Sequence, residues 1–236
     1  MNAAALVLAA GSSRRLGQPK QLLPYKGRTL LDVSLDVARN APFEQRLVTV
    51  GGAAPEVLET VDFDGFEIVE SVHHTQGCSS SIVSALDALD DDIDGFVLLL
   101  GDQPEVTTET ITTLLTSISA NLDTSGASGD GSSESSGEAL AVCRYDNGIG
   151  HPFWFSRRTF GELANLHGDK AVWKLIESGS YPVTKVRIDG DVPLDVDTWE
   201  EYEQLLASAH LQNSCTGPEI VRSSAGILEK EREGDS

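Results

Sequence analysis

Apolar residues along this chain fall into two kinds of stretch, and the two alternate. Ala4–Ala10 is an unbroken apolar run ended by Gly11. A run of that length predicts a strand buried on both faces. Arg46–Val50, Phe66–Val69, Phe96–Leu100, Ala139–Arg144 and Val183–Ile188 repeat the signal, and His151–Phe155 reads as partly extended. Between them the spacing becomes helical. Leu31, Leu35 and Ala38 share a face behind a Thr29–Asp32 capping box. Pro55 opens a short helix, and Ser79–Ser81 can cap one that carries Ile82, Ala85, Leu86 and Leu89. Thr107 caps a helix through about Ile118, and two more cover Arg157–Ala164 and Lys170–Glu177. Asp197 with Glu200 makes a capping box for a last helix, Trp199–Ser208. Strands alternating with helices predict an α/β fold, a mostly parallel sheet with helices on both faces.

Two stretches break the pattern. Asn121–Glu138 is serine, glycine and acid, which cannot form a core and predicts a flexible insert. Gln212 onward is polar and mixed. The expected organisation is one domain over 1–210, carrying the 121–138 insert, and a polar tail over 211–236. A chain of 236 residues can bury a core without a disulfide or metal staple. The early run Ala3–Ala10 is far short of the ~20 apolar residues that span a bilayer. Met1–Ala5 has no basic residue, as a secretory signal would. Membrane protein, disulfide miniprotein and coiled coil are thus set aside. Cys78, Cys143 and Cys215 have no CxxC spacing, so they predict three reduced thiols in the cytoplasm. His73 and His74 read as a loop pair with no third zinc ligand.

Charge sharpens the picture. The net charge is −20 with only six lysines. That excludes nucleic acid as a partner, since binding it needs a basic patch. A strongly acidic, lysine-poor surface suits high salt, so a halophilic source is expected. Yet Met1–Leu31 has no Asp or Glu and carries Arg14, Arg15, Lys20, Lys26 and Arg28. An acidic chain that keeps one segment purely basic is expected to hold an anion there; clustering on a solvated face is the plainer alternative.

The chemistry begins where the first strand ends. Leu8-Ala-Ala-Gly-Ser-Ser-Arg-Arg-Leu-Gly17 is followed by Pro19-Lys20. Ligands of open parallel sheets sit beyond the carboxyl ends of strands. A glycine-bearing loop there brings backbone N–H groups to phosphate oxygens, and Arg15 and Lys20 can neutralise a polyphosphate. Neither a Walker loop nor GxGxxG is present. Gly101-Asp102-Gln103-Pro104 closes another strand, and a strand-end Asp offers the hard oxygen that Mg²⁺ prefers.

These motifs resemble those of MobA-like nucleotidyltransferases. The first resembles LAAGxSxRMGxxK, with Leu16 for Met. Gly77-Cys78-Ser79-Ser80-Ser81 resembles GMSSS, and Gly101–Pro104 resembles GDQP. Gly150-His151-Pro152 resembles GHP. Leu194-Asp195-Val196-Asp197-Thr198 resembles LDVDTPED, with Trp199 for Pro. The five occur in the family's order over roughly residues 4–207, and the branch they most resemble is molybdenum cofactor cytidylyltransferase. The resemblance implies a Rossmann-like fold of the nucleotide-diphospho-sugar transferase kind. It implies Mg²⁺-dependent transfer of CMP from CTP to molybdopterin, with pyrophosphate released.

It also implies the residue roles. Arg15, Lys20 and Asp102 would be catalytic. Leu8, Ala9, Ala10, Gly11 and Ser12 would bind the nucleotide with Lys20 and Asp102. Ser79, Ser80, Ser81 and His151 would meet the acceptor, and Asp102 and Asp195 would hold the metal. Asp197 is the weaker carboxylate, because capping a helix already explains it. Ala9-Ala10-Gly11 favours CTP, since the resemblance ties LAAG to cytidylyl and LAGG to guanylyl transfer. The product implies transient contact with a molybdenum hydroxylase or its chaperone. Three other readings stay open: guanylyl or adenylyl transfer to the same cofactor, transfer to another phosphorylated acceptor, and a non-catalytic accessory of cofactor insertion.

Overall fold

The computed structural model describes residues 1–11, 13, 15–51, 54–71, 78–125, 138–165, 167–168 and 170–215. Ser12, Arg14, His73, His74, Gly77, most of the 121–138 insert and the tail beyond 215 lie outside the described residues. Nine strands are described: β1 (Ala3–Leu8), β2 (Pro24–Tyr25), β3 (Arg28–Thr29), β4 (Gln45–Val50), β5 (Glu67–Glu70), β6 (Gly95–Leu100), β7 (Leu140–Arg144), β8 (Ile149–Ser156) and β9 (Val183–Arg187). The helices are α1 (Leu30–Arg39), α2 (Ala54–Thr60), α3 (Cys78–Leu86), α4 (Thr108–Ser125), α5 (Phe160–Leu163), α6 (Ala171–Glu177) and α7 (Trp199–Cys215).

β1 runs through the middle because it is apolar on both faces. It pairs in parallel with β4 from Ala4↔Gln45 to Leu8↔Thr49, and with β6 from Ala3↔Gly95 to Leu8↔Leu100. The main sheet has the order β5-β4-β1-β6-β8-β7-β9. β8 is antiparallel to both β6 and β7, so the sheet is mostly rather than wholly parallel. Alternation along β1 sorts the core. Ala3, Ala5 and Val7 pack with Leu31, Leu35 and Ala38 of α1 and with Ile111 and Leu114 of α4. Ala4 and Leu6 pack with Ile82 and Ala85 of α3 and with Val172 and Leu175 of α6. The expected fold, helices on both faces of the sheet, is what the chain forms.

A third apolar cluster lies off the sheet. Leu16, Leu23, Tyr25 and Leu30 meet Val196, Tyr202, Leu205 and Ala209, which docks α7 onto the β2–β3 hairpin. That hairpin has no apolar alternation to announce it. α1 starts at the expected capping box, with Thr29 and Asp32 satisfying each other's backbone N–H. Other boundaries move. The Arg157–Ala164 helix is a 3₁₀ turn over Arg157–Thr159 followed by the short α5. α4 continues past Ile118 to Ser125, and α7 past Ser208 to Cys215. α3 begins at Cys78, so Ser79–Ser81 lie in its first turn rather than capping it. Of the thiols, Cys143 is free and buried, and burial pushes it up to about 12, so it stays protonated and inert. Among the described residues no helix is long and apolar enough to cross a membrane.

Candidate active site

Because Leu8 and Leu100 are register partners, the loops that leave β1 and β6 emerge side by side. Gly101 makes that closeness possible. Its N–H donates to Leu8 O at 2.9 Å, and a Cβ there would come within 2.9 Å of Leu31 Cδ1 and 3.2 Å of Leu8 O. Leu8 is half-buried and Ala9 and Ala10 are buried, so the first part of the motif contributes backbone placement more than side-chain surface.

The loop after β1 is tied to itself. Gln21 is buried, and its Nε2 donates to Ala9 O at 2.6 Å and Gly11 O at 3.1 Å. The Lys20 N–H donates to Ser13 Oγ at 2.9 Å. Leu16 and Gly17 N–H groups both donate to Ser13 O, and Gly17 takes φ +70°, where a side chain is strained. Leu16 is buried against Val196 and Leu205, so the residue that replaces the usual Met anchors the loop to the α7 layer. Gly11 differs from these. A Cβ there would meet only Lys20 Cε, at an ordinary 3.7 Å, so packing does not demand a glycine at this position.

Loop geometry delivers the cations to carboxylates from two other segments. Lys20 Nζ bonds an Asp102 oxygen and lies 2.7 Å from Asp197 Oδ1. Arg15 Nη2 lies 3.1 Å from Asp197 Oδ2. Burial alone would lower Lys20, but Asp102 and Asp197 outweigh it and hold the ammonium above its ordinary value. Burial alone would raise Asp197, but Lys20 and Arg15 hold it below the usual carboxylate range. Asp195 goes the other way. Burial, and then the charge of Asp102, push it up to about 6. Gln103 Nε2 fixes it by donating to Asp195 Oδ1 at 2.5 Å and to Pro193 O at 3.2 Å. Residues 188–198 form a strap, neither helix nor strand, whose Val196 N–H donates to Asp102 O at 3.3 Å.

The acid-free segment therefore splits. Arg15 and Lys20 go to this site, whereas Arg28 pairs with Asp36 and Lys26 lies over the Tyr25 ring. Asp197 is the residue that sequence reasoning undervalued. The cap of α7 is made by Thr198 and Glu201: Glu201 N–H donates to Thr198 Oγ1, and Glu201 Oε2 accepts from Thr198 N–H at 2.8 Å. Asp197 is thereby released from the capping role assigned to it with Glu200. Gln21 and Gln103 were also passed over; each follows a charged residue, Lys20 and Asp102, so no local signal marks them for burial.

The expected acceptor residues are placed less simply. Ser79 Oγ accepts from Gly168 N–H at 2.9 Å and Ser81 Oγ donates to Ser71 Oγ at 3.0 Å, so both buried hydroxyls hold α3 to its neighbours. Ser80 is half-buried beside them. The β6–β8 register, ending at Leu98↔Phe153, carries His151 toward the same end of β6 as Asp102. Its ring lies 4.1 Å from the Phe153 ring, and burial pushes its pKa down to about 3, so the imidazole is neutral.

Among the described residues no three His, Cys, Asp or Glu side chains are arranged as a metal cage. Asp102 and Asp195 are near enough for one charge to oppose the other, and an Mg²⁺-like ion binds through one or two carboxylates plus substrate phosphates. The residues fit such an ion. A separate cavity of about 830 Å³ is lined by Glu105, Tyr145, Asp191 and Leu205 among others, and by none of Arg15, Lys20, Asp102, Asp195 and Asp197.

Comparison with known proteins places the chain in a family. Residues 5–184 match the family model described as a MobA-like NTP transferase domain. The purine catabolism protein PucB of Bacillus subtilis is 27% identical over 209 residues, 84% of this chain and 93% of that protein. A probable molybdenum cofactor guanylyltransferase of Bacillus mycoides is 30% identical over 122 residues, 51% of this chain and 58% of that protein. The crystal structure of Rv0371c from Mycobacterium tuberculosis in complex with manganese is 44% identical, covers 88% of this chain and 100% of its own, and superposes with a TM-score of 0.71. With the matched region spanning both the β1 loop and Asp102, the chain belongs to the MobA-like NTP transferase domain family.

Proposed function

We propose that this nucleotidyltransferase moves CMP from CTP to molybdopterin and releases pyrophosphate. One observation carries the reading. Two cations from a glycine-bearing β1 loop converge with carboxylates from the end of β6 and from the strap, at the carboxyl ends of adjacent parallel strands. An acceptor phosphate oxygen attacks the α-phosphorus, the bond to the β-phosphate oxygen breaks, and pyrophosphate leaves. Such a transfer needs positioning and charge neutralisation more than covalent catalysis.

Arg15 and Lys20 take the β- and γ-phosphates and stabilise charge on the departing pyrophosphate. The backbone from Leu8 through Gly11 lies against the nucleotide, and Ser12 is the fifth residue of the motif assigned to nucleotide binding. Asp102 and Asp195 would hold a divalent cation of the Mg²⁺ kind, which supplies neutralisation of the phosphate oxygens when bound. His151 meets the acceptor as a neutral imidazole, and the first turn of α3, with Ser79, Ser80 and Ser81, lies beside it. The CTP preference rests on Ala9-Ala10-Gly11. The product would pass to a molybdenum hydroxylase or its chaperone, in the cytoplasm of a halophile. Similarity to a guanylyltransferase favours a second reading, GMP in place of CMP.

The test is pyrophosphate release in high salt with Mg²⁺ and molybdenum-loaded molybdopterin, comparing CTP, GTP and ATP. Release with CTP alone supports the proposal. Release with GTP keeps the chemistry and replaces the base. No release with any of the three refutes transfer to this acceptor.

A further inference from the structure

Asp197 bridges two cations with one carboxylate. Its Oδ1 faces Lys20 Nζ at 2.7 Å and its Oδ2 faces Arg15 Nη2 at 3.1 Å. An oxyanion of a polyphosphate would engage the same pair in the same way. Local structure does not require this placement of the carboxylate, because Thr198 and Glu201 cap α7 without the Asp197 side chain. Asp197 sits on a segment, 188–198, that forms neither helix nor strand and is held by the Val196 N–H on Asp102 O, so its carboxylate leaves the cations by turning the side chain rather than by moving the backbone. The Arg15–Asp197 pair is open, with side chains 67% and 43% exposed, and exposed pairs exchange cheaply. Lys20 is the reverse, at 14% exposed, and keeps Asp102 as a second partner when Asp197 departs.

We propose that Asp197 is an internal stand-in for a substrate phosphate. It holds Arg15 and Lys20 in their working positions while no polyphosphate is bound, and gives them up when one arrives. This deepens the transferase reading and rests on it for the identity of the anion. The consequence has a definite sign. Asp197 competes with the ligand, so its loss tightens anion binding, whereas mere damage to the fold would weaken it.

The experiment is calorimetric titration of the full chain with sodium pyrophosphate in EDTA, at a salt concentration where circular dichroism reports the folded state. Asp197→Asn removes the competing charge and keeps the shape. It should bind pyrophosphate at least about fivefold tighter than wild type, and the gain should vanish when Arg15→Ala is added. Asp197→Ser provides the same comparison if the Asn variant does not fold. Binding in either variant that is equal to or weaker than wild type overturns the proposal. The two readings fail separately. Wild type that releases pyrophosphate from a nucleotide, with no gain in the variants, sinks only the stand-in role. A gain in the variants with no release from any nucleotide sinks only the transferase reading.

Discussion

Lys20 Nζ lies 2.7 Å from Asp197 Oδ1 although the two residues are 177 positions apart. The same ammonium bonds Asp102, so one side chain joins the β1 loop, the end of β6 and the strap before α7. Replacing it removes the positive charge common to all three. Lys20→Met should lower pyrophosphate release at least about 100-fold, as loss of a charge-stabilising donor does. Steady-state release with the preferred nucleotide checks it, and a variant within a few-fold of wild type would contradict the role.

Asp195 makes stability depend on pH. Its carboxyl is pushed up to about 6 by burial and by Asp102, against about 3.9 in an unfolded chain. Between those values the native state keeps a proton that the unfolded chain has released. The contribution is present in full below about pH 4 and is lost as pH rises through about 6. The residue is exposed overall, so water screening holds the effect to on the order of 1 kcal/mol. Asp195→Asn keeps an oxygen for Gln103 Nε2 and removes the charge. It should melt above wild type at about pH 7.5 and with it at about pH 4. Thermal melts in the same salt at both pH values decide.

Gly101 holds the two loops together by lacking a Cβ, which would fall 2.9 Å from Leu31 Cδ1. Gly101→Ala should cost about 1–3 kcal/mol through overpacking. A denaturant midpoint unchanged from wild type would show that Leu31 yields freely.

The cap of α7 separates two neighbouring glutamates. Glu201 Oε2 accepts from the Asp197 and Thr198 N–H groups at 2.9 and 2.8 Å. Thr198→Ala or Glu201→Ala should each lose about 1 kcal/mol, and Glu200→Ala close to nothing. Equal losses for the two glutamates in denaturant melts would argue against this cap.

A net charge of −20 sets the salt response. The folded fraction should rise as KCl goes from about 0.1 M to about 1 M, over which the screening length falls from about 10 Å to about 3 Å. Circular dichroism across that range tests it; no rise removes the halophilic reading.

What the sequence determined by itself was local. Apolar runs such as Ala4–Ala10 and Phe96–Leu100 marked strands because residues buried on both faces must be apolar at every position. Thr29 and Asp32 marked the start of α1 because a capping box lies within four residues. Arg15, Lys20 and Asp102 were legible as candidates because those residue types beyond strand ends suit phosphate and metal chemistry. Tertiary structure decided the rest. The antiparallel direction of β8 depends on ladders with β6 and β7, and the same residues would alternate identically in either direction. The β2–β3 hairpin is held by α7, far along the chain. Asp197 could cap a helix or meet a distant cation, and its local sequence is compatible with both. Only the docking of the strap beside the β1 loop chose between them, because an ion pair depends on distance in space and not on separation along the chain.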